Sequence, residues 1–93
     1  MDVIEPIALV LPSPVSRADV PRLCEELGAL LTSTGASEVV CDAGALVCPD
    51  LTAVEAVLRL RLTARRHGSL LRLRNAAPAL RALLNLVGLP DPP

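Results

Sequence analysis

Residues 38–74 read EVVCDAGALVCPDLTAVEAVLRLRLTARRHGSLLRLR, and the order of patterns within this stretch decides the fold. Glu38-Val39-Val40-Cys41-Asp42 is a short apolar run of strand length, ended by the turn-forming Ala43-Gly44-Ala45. A helical repeat follows, with an apolar set at Val54, Val57, Leu58 and Leu62. It stops at Arg65-Arg66-His67-Gly68, where cations favour the last turn and the glycine suits a C-cap. Leu70-Leu71-Arg72-Leu73-Arg74 is a second strand. Its alternation puts Leu71 and Leu73 on one face, Arg72 and Arg74 on the other. Strand, helix, strand in this order is a crossover unit, whose strands pair in parallel through a right-handed connection.

Upstream, Ile7-Ala8-Leu9-Val10-Leu11 forms a further strand, closed by Pro12-Ser13-Pro14. Val20, Leu23, Leu27, Leu30 and Leu31 then recur at helical spacing, with Asp19 and Pro21 suited to the helix start and Ser33-Thr34-Gly35 to its end. Downstream, Pro78 opens a third helix that is expected to bury Leu80, Leu83, Leu84 and Val87 before Gly88 and Pro90 stop it. The expected elements are strands at 7–11, 38–42 and 70–74 and helices at 19–33, 51–67 and 78–87. Val3 and Ile4 suggest an edge strand within residues 1–6, and 90–93 read as an extended tail. The expected fold class is α/β: one domain over 1–93, a mixed, mostly parallel sheet of about four strands, helices mainly on one face.

Composition narrows the function. The chain is 93 residues long, 52% hydrophobic, and has no Phe, Trp or Tyr. Its core must be aliphatic, and it has no stacking platforms of the kind single-strand nucleic-acid binders use. The formal net charge is −1, but residues 1–55 hold nine acids against Arg17 and Arg22, whereas 56–82 hold seven Arg and no acid. Such asymmetry marks either a basic binding face or solvated outer faces of a helix and strand. Cys24, Cys41 and Cys48 include no C-x-x-C pair, and His67 is the only histidine, so the four closely spaced ligands of a metal site are absent. Buried free thiols are expected, with Cys24 and Cys41 packed in the core. No apolar stretch approaches the roughly 18 residues of a membrane span. With no charged leader ahead of a long apolar run, the chain reads as soluble and cytoplasmic. A Cys-x5-Arg phosphate loop starting at Cys48 would need arginine where Val54 stands, and no glycine-rich phosphate loop follows the first strand. No enzyme, cofactor or membrane insertion is expected.

In open α/β sheets, sites collect where strands end and helices begin. Here that junction is Cys48-Pro49-Asp50-Leu51-Thr52-Ala53, with Glu55 one turn on. Thr52 and Glu55 have the spacing of a capping box, and Asp50 is an equally suitable N-cap. Thr52, Glu55, Arg59, Thr63 and Arg66 also form a continuous polar stripe, so the threonine stands at the exposed end of a surface able to dock a partner.

From Glu38 to Leu89 the chain resembles STAS domains, the family that includes anti-sigma-factor antagonists. Their pattern is an apolar strand ending in Asp, a loop, an Asp-Ser-Ser-Gly motif opening a helix, an Arg-rich helix end with Gly, an apolar strand with an Asn turn, and a Leu-rich last helix. The corresponding residues are Val39 to Asp42, Asp50-Leu51-Thr52-Ala53, Arg65 to Gly68, Leu70 to Asn75, and Leu83 to Leu89. In such antagonists the second serine is phosphorylated by an anti-sigma serine kinase, and Thr52 stands in its place. Leu51 replaces the first serine and Ala53 the glycine, whose new methyl is expected to lie where a kinase approaches. The resemblance implies partner switching with an anti-sigma factor, through Cys48, Pro49, Asp50, Leu51, Thr52, Ala53, Glu55 and Arg59. Alternatively, it implies a small subunit bracing the ATPase of a lipid-transport ABC system, with Thr52 a contact residue that is never phosphorylated.

Overall fold

A computed structural model describes residues 5–46 and 49–88. The elements run β1 (Ile7–Val10), α1 (Asp19–Thr34), β2 (Glu38–Asp42), α2 (Leu51–Arg66), β3 (Leu70–Arg74) and α3 (Pro78–Leu86). The three strands and three helices expected between residues 7 and 87 are all present, with ends within one residue of expectation. The described strands form a three-stranded sheet in the order β1-β2-β3, and both pairings are parallel. The expected fourth strand falls largely on residues 1–4 and the expected tail on 90–93, both outside the described residues; Glu5 and Pro6 are not strand.

The strand order explains why one sheet face is covered. Both crossovers step in the same direction, so right-handed connections carry α1 and α2 to the same side. Pairing aligns Ile7 with Val39 and Leu9 with Cys41, then Val39 with Leu71 and Cys41 with Leu73. All six are buried beneath the helices. The opposite face is open and carries Val10, Leu70, Arg72 and Arg74. Cross-strand ion pairs join Arg72 to Glu38 at 3.8 Å and Arg74 to Asp42 at 3.4 Å. Both arginines of β3 are thereby partly neutralised.

Helix ends follow local chemistry. Ser16 and Asp19 bond reciprocally before α1: the Ser16 N–H donates to the Asp19 carboxylate at 2.9 Å, and the Asp19 N–H to the Ser16 hydroxyl at 3.3 Å. Gly35, at φ 67°, closes α1 by donating its N–H to the Leu31 carbonyl, a backbone conformation glycine adopts without strain. Buried Ser69 donates its hydroxyl to the Ala36 carbonyl, tying the start of β3 to the start of β2.

Two expectations about burial are corrected. The sheet-facing side of α2 is Ala53, Val54, Ala56, Val57, Leu60 and Ala64, whereas Leu58 and Leu62 are 37% and 42% exposed. The helix phase that seats Ala53, Ala56, Leu60 and Ala64 inward sets Leu58 and Leu62, each about 160° from Leu60 around the axis, on the outer side. Val87 is also exposed, because α3 ends at Leu86 and Val87 has left the helical path that carries Leu80 and Leu84 inward. Leu83 packs partly against the core, as does Cys24, which is half-buried and not fully enclosed.

This assignment separates two leucines of the same helix. Leu60→Ala is expected to cost about 3 kcal/mol by leaving a cavity, and Leu58→Ala less than about 1 kcal/mol. Urea denaturation of the two variants measures the difference.

Candidate functional site

The strands end together at the edge where α1 and α2 begin. There the Asp42 carboxylate gathers several donors. It accepts the Gly44 N–H at 2.8 Å, the Asn75 side-chain amide at 3.4 and 3.5 Å, and the Arg74 guanidinium at 3.4 Å. Two backbone bonds extend the sheet past the strand ends: Leu11 N–H to Asp42 carbonyl at 3.0 Å, and Ala43 N–H to Arg74 carbonyl at 2.9 Å. The close approach is why residue 44 is glycine. A Cβ there would stand 3.0 Å from the Asp42 carboxylate and 3.3 Å from the Asn75 Cβ. Asn75 takes φ 60°, a left-handed conformation that Asn tolerates better than most residues. The Gly44 N–H is the main cause that holds the Asp42 carboxyl below its ordinary range, with Asn75 and Arg74 assisting against a partial desolvation. This buckle fixes the start of the loop that leads to α2, and Leu46, buried, anchors it further.

At the loop's far end Asp50 is the N-cap of α2. Its carboxylate accepts the Ala53 N–H at 3.0 Å. The capping box between Thr52 and Glu55 does not form; Glu55 instead approaches Arg59, 3.4 Å away. Among the described residues the Thr52 hydroxyl has no hydrogen-bond partner, and Thr52 is half-buried in the first turn. Ala53 is 1% exposed, so its methyl faces the core and does not project towards an approaching partner, contrary to expectation. Leu51 is 74% exposed. Pro49 is half-buried beside the cap, and Cys48 lies outside the described residues.

Glu55 and Arg59 open onto a shallow depression between α1 and α2, about 360 Å³, whose other walls are Arg17, Val20 and Pro21. A smaller one of about 120 Å³ continues along the same groove, lined by Cys24, Arg59, Leu62, Thr63 and Arg66. The polar stripe read from the sequence therefore borders α1. Thr63 turns back to donate its hydroxyl to the Arg59 carbonyl at 3.0 Å. Arg17, Val20 and Pro21 were missed because their side of the site depends on how α1 packs against α2, which no local pattern encodes.

The remaining reactive groups are dispersed. Cys41 is fully enclosed, and burial, reinforced by the neighbouring Asp42 charge, pushes its thiol up to about 12. The His67 imidazole donates from Nδ1 to the Thr63 carbonyl at 2.9 Å, which leaves Nε2 to accept from the Thr32 hydroxyl at 3.4 Å. It joins the C-terminal turns of the two helices. Among the described residues no group of three or more His, Cys, Asp or Glu is gathered, and no helix is long and apolar enough to cross a membrane.

A family model described as "Mlab, STAS domain" matches residues 4–91. No curated protein and no solved structure matches the chain.

Two expected outcomes follow from the geometry. Asp50→Ala should cost about 1 kcal/mol through loss of the cap, while Thr52→Ala should be close to neutral; thermal melting distinguishes them. Asp42 and Asp19 both ionise more readily folded than unfolded, Asp19 with a value of about 2 that is held down first by the Ser16 N–H and then by Arg22. Their contribution is complete above about pH 4 and is lost as pH falls through the lowered folded values. Urea midpoints measured from pH 7 to pH 2 should drop in that acid window, and less steeply in Asp42→Asn and Asp19→Asn.

Proposed function

The chain belongs to the STAS domain family, and from that premise we propose that it docks a regulatory protein partner through the N-terminal end of α2, without catalysing a reaction. The contact surface is Pro49, Asp50, Leu51 and Thr52, continued by Glu55 and Arg59, with Cys48 in the preceding loop. The observation that carries the reading is the division of labour at this helix start: Asp50 performs the capping, so the Thr52 hydroxyl is spent on no structural bond among the described residues. Local stability gives no reason for a hydroxyl at this position, whereas recognition does.

The finer form of the reading is partner switching of the anti-sigma-antagonist type, with an anti-sigma serine kinase as partner. The free hydroxyl state binds, and phosphorylation of Thr52 ends binding. A phosphate would add about −1.5 to −2 charges in the same turn as Asp50 and Glu55. The Ala53 N–H is already taken by Asp50, so this donor is not free to receive the phosphate. Repulsion at the docking surface is therefore the mode of release. The buried Ala53 methyl presents no obstacle to the kinase.

One observation favours a second reading. Leu51, exposed where the motif has a hydroxyl residue, suits permanent apolar docking better than a reversible switch. In that case the partner is the ATPase of a lipid-transport ABC system, and Thr52 is a contact.

The test is a partner captured by the tagged chain, identified by mass spectrometry, and titrated against three forms. Partner switching expects wild type and Thr52→Ala to bind alike and Thr52→Asp at least tenfold more weakly. Equal affinity of all three forms would reject it.

A further inference from the structure

The docking end of α2 continues into an apolar track that the fold leaves partly exposed, with Leu62 at its border with the groove beside α1. Leu51, Leu58 and Leu62 stand at i, i+7 and i+11, and at 3.6 residues per turn they fall within about 40° of one another. They lie opposite Leu60, the centre of the buried side, and are 74%, 37% and 42% exposed. The track spans about 17 Å along the helix. Its borders are basic: Arg59, Arg65 and Arg66 are all exposed, and Glu55 is the single carboxylate, already paired with Arg59. The helix carries no acid after Glu55.

We propose that the outer face of α2 seats an amphipathic helix of the partner whose leucine-type stripe is flanked by Asp and Glu. This rests on the docking reading above and specifies its partner: the partner contributes a helix, and that helix is acidic. The apolar track matches the i, i+3/i+4, i+7 anchors by which a helix lies against another surface. The charge of the borders selects the acidic flanks. A second copy of this chain fits worse, because each face carries Arg59, Arg65 and Arg66 against the single carboxylate of Glu55, so two such faces repel. A membrane surface fits worse too. Leu58 and Leu62 are more than half covered, which leaves little apolar area to bury in a bilayer, and the chain has no aromatic residue to anchor at its interface.

The probe is a fluorescent helical peptide of about twenty residues with leucine anchors at helical spacing and glutamate flanks, titrated against the full chain by anisotropy. Binding is mapped by amide chemical shifts. The expected result is saturable binding with shifts on Leu58, Arg59, Leu62 and Arg66, at least tenfold weaker for Leu58→Ser combined with Leu62→Ser and for Arg65→Glu combined with Arg66→Glu. Circular dichroism shows whether these surface variants remain folded. Affinity should fall with salt, and a peptide with lysine in place of glutamate should not bind. Equal binding of the acidic and basic peptides, or shifts confined to the open sheet face, overturns the proposal. So does wild-type self-association abolished by the leucine variants, which would make a second copy the occupant. Binding to phosphatidylglycerol vesicles without peptide binding overturns it in favour of a lipid surface. The identified partner separates this proposal from the reading it rests on. Affinity lost in Thr52→Asp but kept in the leucine pair rejects the α2 track alone. Affinity lost in the leucine pair but kept in Thr52→Asp rejects only the Thr52 switch.

Discussion

Close contact between the small-residue side of α2 and the sheet is the constraint on which the remainder of the molecule depends. The chain has no aromatic side chain to fill space, so its core must close by bringing backbones near one another. Ala53, Ala56 and Ala64 allow this, while Val57 and Leu60 fill what remains. Because α2 packs against α1, β3 and α3, its depth over the sheet sets the position of every other helix. The phase of the helix about its axis decides which leucines are internal and which are presented outward. Packing and recognition are here two consequences of one helix orientation.

A second layer of organisation is electrostatic and lies at the sheet's carboxyl edge. Asp42 gathers a backbone N–H, an amide and a guanidinium from segments over thirty residues apart. These bonds are individually modest and solvent-accessible, yet together they tie the start of the β2–α2 loop to the end of β3. The loop then delivers Asp50 to cap α2. The result is a helix start satisfied from outside itself, which leaves Thr52 without a capping duty.

Much of this was legible in the residues. The apolar runs at 38–42 and 70–74 match their strands, and Gly35 and Gly68 mark the turns that end α1 and α2. Which side of α2 faces inward was not legible, because a leucine-weighted reading of the repeat favours Leu58 and Leu62 over alanines. Burial of an alanine depends on the partner surface and leaves little hydrophobic signal of its own. For Thr52 and Asp50, local spacing allowed either to cap, and only the extended backbone at Asp50, φ −124° and ψ −173°, decides between them. Ala53 illustrates the same limit: a methyl read as an obstacle at the surface lies in the interior. Across the groove, Arg17, Val20 and Pro21 join the site through tertiary packing.

The strand order has a bearing on how the chain is built. With the sheet laid out as β1-β2-β3, each element's main contacts are with elements no more than two places away in sequence. Such a molecule resembles a short stack, in which each unit is completed by the next and few distant segments must find one another. The last helix nevertheless belongs to the same interior, for Leu80 and Leu84 are enclosed in the one core that β1, α1 and α2 also line, so α3 closes what the two crossovers build.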